Sequence, residues 1–393
     1  MRILVLQDAD WQQKGPHQQH HLMELLSMKE HDVIVVGFNQ LWKNEDHSIF
    51  SKQKIVNNIS RFYMGSKVTY IQPAFVKIPL LDYISFSFTA RATIKNLIKQ
   101  YRPDIVISFT SIITSYWGMK ISQEKNIPYI YYWTDVIHTL VPIKTLQPIA
   151  KLIERETIKG SSRVMAINEV LKDYTISIGA KPEHTVVLPG GINFDRFDPH
   201  IVSDHVREKY RISGEDFVLF FMGWIYDFSG LKEVIVGLSE ESDIHLKLLI
   251  VGEGDYFHEL QDLTHHLNLQ NRVIFTGRRP YEEIPCLIAS ADVCLLPAYN
   301  NEIMRDIVPI KLYEYLAMAK PVICTKLPGV LKEFGYDSGI VYIDKPEEVL
   351  SCIKQLNRSR VRDLKEDAMT FIKDYNWDSI VSDFESLIKS VRA

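Results

Sequence analysis

The stretch Pro309-Ile310-Lys311-Leu312-Tyr313-Glu314-Tyr315-Leu316-Ala317, followed by Lys320-Pro321-Val322-Ile323, reads as a helix and the strand after it. Proline has its φ preset for a first helical position and lacks the N–H that a helix start leaves unpaired, so the helix is expected to begin about Pro309. Lys311 and Glu314, three apart, then share one face, and Leu312, Tyr315 and Leu316 line the other. A lysine in a first helical turn, beside free N–H groups, suits a phosphate. A carboxylate one turn deeper can accept both hydroxyls of a ribose. The pattern describes a nucleotide site on an α/β unit.

Working outward, short β-branched or aromatic runs alternate with helical patterns along the whole chain, as in βα units with parallel sheets. In the first half, strands are expected over 3–6, 33–38, 104–109, 129–133, 164–167 and 186–188. In the second they are expected over 217–222, 246–251, 273–276, 293–297, 322–324 and 340–343. Between the two sets lies Pro189-Gly190-Gly191-Ile192-Asn193-Phe194-Asp195-Arg196-Phe197-Asp198-Pro199, rich in turn residues and without periodicity, which reads as a hinge. The division gives one domain over 1–198 and a second over 199–376, with the amphipathic segment 377–393 packing back on the first. Two such doubly wound, Rossmann-like parallel sheets are expected to face a cleft at the carboxyl ends of their strands.

Bulk composition agrees with two globular domains: 393 residues, 46% hydrophobic and 24% charged. The four cysteines (Cys286, Cys294, Cys324, Cys352) include no C-x-x-C pair, which gives neither a disulfide framework nor a zinc motif and points to a reducing compartment. The apolar run after Arg2 is too short for a secretory signal, and no apolar stretch approaches the roughly 18 residues of a membrane span. A cytoplasmic protein is expected, with no nucleic-acid partner. Residues 1–200 carry 23 Lys and Arg against 18 Asp and Glu, and the rest 22 against 31, so a net charge of −4 hides a basic first half. That excess is either scattered solvated charge or a preference for an anionic partner or surface. Lys151, Arg155 and Lys159 recur every four residues beside Ile149, Leu152 and Ile153, a stripe that can lie on anionic lipid, although Glu154 and Glu156 dilute it. The run from Phe75 to Phe88 is either core or a second surface of this kind.

Other motifs carry less. In Lys14-Gly15-Pro16-His17, after the first strand, a tight loop at Gly15 can bring backbone N–H groups to a phosphate or sugar oxygen. His17, His20 and His21 have helical spacing but no evident acidic partner for a metal, so His17 is read as a capping or acceptor-side group. Asp8-x-Asp10 resembles a metal-binding acidic pair and is short enough to arise by chance. Gly252-Glu253-Gly254 lacks the third glycine of a dinucleotide fingerprint, Phe257 standing there, and reads as a turn closing on the nucleotide. Asp135 and His138, beyond the strand ending at Trp133, are acceptor-side candidates, and His138 could also tune proton movement.

Taken together, these segments resemble the GT4 family of glycosyltransferases, of GT-B fold. The resemblance is carried by residues 2–27, the 154–168 segment, Leu188-Pro189-Gly190-Gly191-Ile192, Gly223 to Gly230, Leu249-Ile250-Val251-Gly252-Glu253-Gly254, Arg272-Val273-Ile274-Phe275-Thr276-Gly277, Ala291-Asp292-Val293 and the opening motif. It implies two acidic donor residues, the second matching Glu314 at the ribose and the first falling on Asp306 beside the transferred sugar. The family pattern carries a longer glutamate at that first position. It also implies an arginine after Gly223 and a lysine before Gly230, both on the diphosphate. This chain has Trp224 and Ser229 there. Lys311 becomes the leading diphosphate cation, with Arg305, Arg278 and Arg279 in reserve, and Leu312 and Gly252 join the donor site.

What the resemblance implies is a retaining, metal-independent hexosyltransferase that moves a sugar from a nucleoside diphosphate sugar to a glycan, lipid-linked or small-molecule acceptor. It would serve cell-surface polysaccharide biosynthesis, and the stripe and apolar run of the first half add an expected peripheral contact at the cytoplasmic membrane face. Asp306, Lys311 and His138 are the expected catalytic groups. A nucleotide-sugar epimerase of similar fold and a non-catalytic nucleotide-sugar binding module are the alternatives.

Overall fold

The computed structural model describes residues 1–8, 10–12, 17–39, 42, 48–134, 136–141, 143–356 and 358–392. They form two compact units, Met1–Gly190 with Trp377–Ala393, and Gly191–Asn376. Both are α/β.

In the first unit the strands are β1 (Arg2–Leu6), β2 (Asp32–Val36), β3 (Phe50–Ser51), β4 (Lys54–Ile59), β5 (Val68–Gln72), β6 (Phe75–Val76), β7 (Ile105–Phe109), β8 (Tyr129–Trp133), β9 (Arg163–Ala166) and β10 (Thr185–Val187). Its main sheet runs β10-β9-β8-β7-β1-β2-β5-β4. Neighbours are parallel except β4, which is antiparallel to β5. Strands β7 and β8 are buried along their whole length, which is why they read as unbroken apolar and aromatic runs. Sequence reading misses β3 to β6. The edge strand β4 is mostly exposed, with lysine and asparagine among its side chains, and β3 and β6 are only two residues each. Phe38, expected in the second strand, lies beyond it and packs with Phe75 and Phe86.

Helices α1 (Gln18–Met28), α2 (Leu81–Tyr101), α3 (Ile113–Glu124), α4 (Gln147–Gly160) and α5 (Glu169–Ser177) surround this sheet. Helices α2, α3 and α4 pack side by side on one face. In α2, Phe86, Ala90, Ile94 and Ile98 are buried at four-residue spacing, so the 75–88 run is only partly core.

The second unit has β11 (Phe217–Met222), β12 (Leu246–Val251), β13 (Val273–Phe275), β14 (Val293–Leu296), β15 (Val322–Thr325) and β16 (Ile340–Ile343), all parallel in the order β13-β12-β11-β14-β15-β16. This is a doubly wound sheet whose order reverses between β11 and β14, where ligands bind at the carboxyl edge. Its helices are α6 (Asp204–Lys209), α7 (Leu231–Glu240), α8 (Phe257–His266), α9 (Ile284–Ala289), α10 (Ile310–Ala317), α11 (Pro328–Phe334), α12 (Val349–Gln355) and α13 (Arg358–Ile372). The boundary falls between Gly190 and Gly191 rather than after residue 198, because Ile192 and Phe197 are buried in this unit's core with Phe220 and Tyr315.

The last helix, α14 (Trp377–Arg392), belongs to the first unit. Trp377, Ile380, Val381, Phe384 and Ile388 recur at helical spacing and bury against Leu22, Met23 and Leu26 of α1. Trp377 stacks on His21 with centroids 4.5 Å apart. Glu385 accepts from Lys389, from His31 at 3.1 Å and from Lys29 at 3.4 Å, and the first two contacts hold its carboxyl down at about 2. Since that lies below the unfolded value, the contribution is present above about pH 4 and is lost as the pH falls. Glu385→Gln should therefore lower the melting temperature at neutral pH, with the difference from the parent vanishing toward about pH 2. Phe384→Ala should cost about 3–5 kcal/mol at all pH values, read by calorimetric unfolding.

Candidate active site

Helix α10 begins at Ile310, with Pro309 as its extended N-cap (φ −69°, ψ 132°) rather than its first helical residue. The inward face carries Leu312, Tyr315 and Leu316, all fully buried. The Tyr315 hydroxyl accepts from the Met222 N–H at 3.0 Å, which fixes α10 against the end of β11. The next residue, Gly223, has φ 131°, and a Cβ built there would lie 2.7 Å from Lys311 Nζ. The missing side chain therefore opens the place that the ammonium takes, 4.4 Å from the Phe221 ring centroid. Burial pulls the Lys311 pKa down to about 8, against the attraction of Glu314.

Glu314 is buried and accepts from the Tyr281 hydroxyl at 2.9 Å. Burial raises its pKa to about 7, opposed by Tyr281, Lys311 and Arg196 in that order. The Arg196 guanidinium lies over the Tyr281 ring at 4.9 Å, and its buried Nη1 has no hydrogen-bond partner. Sequence reading missed Tyr281 and Arg196 as site residues. Arg196 lies within the quoted hinge, and Tyr281 follows a proline in an exposed turn, so neither has a local pattern to mark it.

Gly223, Gly252 and Gly277 stand at the carboxyl ends of the adjacent strands β11, β12 and β13. The Gly252 N–H donates to the Gly277 carbonyl at 3.0 Å, and a Cβ on Gly252 would come 2.0 Å from the Gly223 carbonyl oxygen. Gly252 thus serves close backbone packing, and its N–H is already used. Arg278, next along, is exposed. Arg279 is spent on a bidentate pair with Glu283, with Nε–Oε2 at 3.0 Å. Trp224 is exposed and donates to Asp255 at 3.0 Å, while Ser229 is buried.

Asp306 pairs with its neighbour Arg305 at 3.5 Å in the turn before α10. The Gly329 N–H donates to the Arg305 carbonyl at 2.7 Å, and a Cβ on Gly329 would meet the Asp306 backbone at the same distance, so α11 buttresses this turn. Leu312, expected among the donor-binding residues, has its side chain wholly in the core, and its N–H donates to the Pro309 carbonyl at 3.1 Å.

In the first unit, His138 Nδ1 lies 2.7 Å from Glu154 Oε2 and its backbone N–H donates to Oε1 at 3.1 Å. Burial and nearby Lys151 hold the imidazole below its usual pKa. With Nδ1–H donating to the carboxylate, the neutral ring keeps Nε2 as an acceptor. His17 caps α1: its N–H donates to His20 Nδ1 at 3.1 Å. His20 faces the Trp11 carbonyl and His21 the Tyr63 hydroxyl. Among the described residues no three His, Cys, Asp or Glu converge on a metal position. Asp8 is spent on capping α3, accepting from the Ile112 and Ile113 N–H groups at 3.0 and 3.1 Å. Gly15 and Asp135 lie outside the described residues. No helix of the described residues is long and apolar enough to cross a membrane.

The two α/β units with their parallel sheets define a protein of GT-B architecture, and its structural neighbours are glycosyltransferases. One is Anabaena Alr3699/HepE in complex with UDP, at TM-score 0.73 and 16% identity over 99% of this chain and 100% of that one. Another is sucrose-phosphate synthase from Thermosynechococcus elongatus, at TM-score 0.76 and 16% identity over 100% and 99%. Residues 19–196 match the model of Glycosyltransferase Family 4 and residues 202–369 that of Glycosyl transferases group 1. The chain belongs to this GT4, group 1 family of glycosyltransferases. It is similar to the alpha-monoglucosyldiacylglycerol synthase of Streptococcus pneumoniae, 25% identical over 63% of this chain and 58% of that protein, so it spans under two-thirds of that relative. It is also similar to a D-inositol 3-phosphate glycosyltransferase of Corynebacterium glutamicum, 21% identical over 72% of each.

Tyr281→Phe removes the hydrogen bond that favours the Glu314 carboxylate, so the Glu314 pKa should rise above about 7 in a carboxyl-selective NMR titration. Gly223→Ala should cost about 1–3 kcal/mol of stability and displace the Lys311 ammonium, seen as a rise of its pKa toward the ordinary lysine value.

Proposed function

We propose that the chain transfers a sugar, with retention at the anomeric carbon, from a nucleoside diphosphate sugar to a glycan, lipid-linked or small-molecule acceptor hydroxyl. Support comes chiefly from the half-buried Lys311 and the buried Glu314, a cation and a carboxylate on one short helix at the carboxyl edge of a doubly wound sheet. The UDP bound to the HepE neighbour supports the donor class.

In this reading Glu314, steadied by Tyr281, accepts the ribose hydroxyls, and Lys311 with the start of α10 takes up diphosphate charge. The C–O bond to the diphosphate breaks, a C–O bond to the acceptor forms on the same face, and the acceptor's proton passes to the departing phosphate oxygen. Lys311 does for the leaving group what the family's arginine and lysine do, since Trp224 and Ser229 cannot. No metal is assigned a role. Asp306 lies by the transferred sugar, with Arg305 and Arg278 as further donor contacts. His138, oriented by Glu154, offers Nε2 to a hydroxyl on the acceptor side, and His17, Gly15 and Asp135 complete that side. The enzyme works in the cytoplasm, in peripheral contact with the membrane, on cell-surface polysaccharide.

Glu314 must be ionised and Lys311 protonated to bind donor, so affinity should peak between about pH 7 and about pH 8. Calorimetric titration with a panel of nucleoside diphosphate sugars should show the acid limb vanish in Glu314→Gln and the alkaline limb in Lys311→Met. Free nucleoside diphosphate should accumulate with acceptor present, equally with and without chelator. Tight binding without release would instead favour a binding module, and donor converted to an isomer without release an epimerase.

A further inference from the structure

In the second unit a cavity of about 600 Å³ opens on the edge of β13, and none of the twelve residues lining it is acidic. Helix α6 stands on one face of the sheet and α8 on the other: Val206 packs with Val218 and Phe220, whereas Leu260 packs with Leu219 and Phe221. Strand β13 is the last of its sheet on this side. At its two ends the Arg272 carbonyl accepts from the Leu248 N–H at 2.8 Å and the Thr276 N–H donates to the Ile250 carbonyl at 3.0 Å. By the alternation of a parallel ladder, the Phe275 N–H and the Val273 and Phe275 carbonyls then face outward, along the cavity wall.

The two sides of this edge differ in chemistry. On the α6 side Lys209 is exposed at the end of the helix, and Arg211 is exposed just after it with φ 55°, a backbone region that arginine rarely adopts. Lys247 of β12 lies beneath them, its ammonium donating to the Asn271 carbonyl at 2.8 Å with further donors to spare. The acids beside these cations have partners of their own. Glu283, 3.9 Å from Lys209, is held by Arg279, and Asp216, 4.0 Å from Lys247, accepts from the Ser213 N–H at 2.6 Å. The α8 side instead offers neutral groups, Gln261, His265 and Gln270. Gln270 Nε2 lies 2.9 Å from His265 Nδ1, and with the amide donating, the ring proton stands on Nε2, free for a ligand oxygen.

A ligand that matches both sides carries negative charge at one end and hydroxyls at the other. A guanidinium fork beside ammonium groups suits a phosphate. Amide side chains and outward strand groups suit hydroxyls, which both donate and accept. We propose that this cavity is a second ligand site, for a phosphorylated sugar, with Lys209, Arg211 and Lys247 on the phosphate and Gln261, His265, Gln270 and the β13 edge on the hydroxyls. The site is distinct from the one at α10. Lys247 stands five positions before Gly252, about 16 Å along the strand from the carboxyl edge, so the two can be filled together. The inference is independent of the transferase reading.

The test is calorimetric titration of the full chain with the 6-phosphates of glucose, galactose and mannose, with the free sugars and with inorganic phosphate. Each titration is repeated on Lys311→Met, which removes the cation at α10. At least one hexose phosphate should bind both proteins alike, about tenfold or more tighter than inorganic phosphate, and the free sugars should not bind. Lys209→Glu with Arg211→Glu should weaken that binding by about tenfold or more, and Gln261→Ala with Gln270→Ala should reduce it to the level of inorganic phosphate. No binding of any hexose phosphate, an affinity equal to that of inorganic phosphate, or binding lost in Lys311→Met would overturn the proposal. Tighter binding of a glutamate-rich peptide than of any hexose phosphate would assign the edge to an added acidic strand instead. Donor titration of the Lys209→Glu, Arg211→Glu variant should match the parent, so failure of this site leaves the transferase reading standing.

Discussion

The ammonium of Lys311 can sit over Phe221 only because residue 223 has no side chain, and the strand ends and helix around it are fitted to that gap. Gly223 ends β11 in a conformation glycine tolerates, Gly252 must be glycine for its own loop to pass the Gly223 carbonyl, and Tyr315 ties α10 to Met222 one residue earlier. The helix, two strand ends and the cation therefore constrain one another. Withdrawing a lysine in part and a glutamate wholly from water on eight helical residues is costly in isolation, and each lowers the other's cost while both stay near their titration points. A site in that condition gains most from a ligand that brings negative phosphate to the lysine and hydroxyl donors to the carboxylate.

The replaced cations gain meaning from the same geometry. Trp224 turns outward to Asp255, and Ser229 is buried beside Gly230, where a Cβ would collide with the Pro297 carbonyl at 1.9 Å. The loop between β11 and α7 thus holds its shape through glycine packing, independently of which side chains it carries. Losing two cations there leaves the backbone frame intact while concentrating the positive charge on α10.

Legibility in the sequence followed the range of the interaction. Buried parallel strands such as β8 and β11 are continuous apolar runs, β12 departs from one only at Lys247, and their spans read correctly to within a residue or so because the signal is local. Strands β3, β4 and β6 carry no such signal, two being a pair of residues long and β4 an exposed edge, whereas β5, buried at four of its five residues, carries one that sequence reading passed over. The pairing of Lys311 with Glu314 is visible as helical spacing, whereas Tyr281 and Arg196 reach Glu314 from segments 33 and 118 positions away and have no periodicity to betray them. Asp8 shows the converse. Its neighbour two residues on suggested a metal pair, but its real partners are backbone N–H groups about a hundred residues later.

Helix α4 shows how one amphipathic segment can carry two demands. At 3.6 residues per turn, Glu154 and Ile158 point inward while Leu152, Arg155 and Lys159 point outward, so the carboxylate that orients His138 and the exposed cationic stripe occupy opposite sides of the same cylinder. Lys151 belongs to both settings, since it is exposed and still lowers the His138 pKa. The inward glutamate dilutes the stripe in sequence but not in space. Linear charge counting along 147–160 therefore understates the positive character of the outer face, and only the burial of Glu154 reveals it.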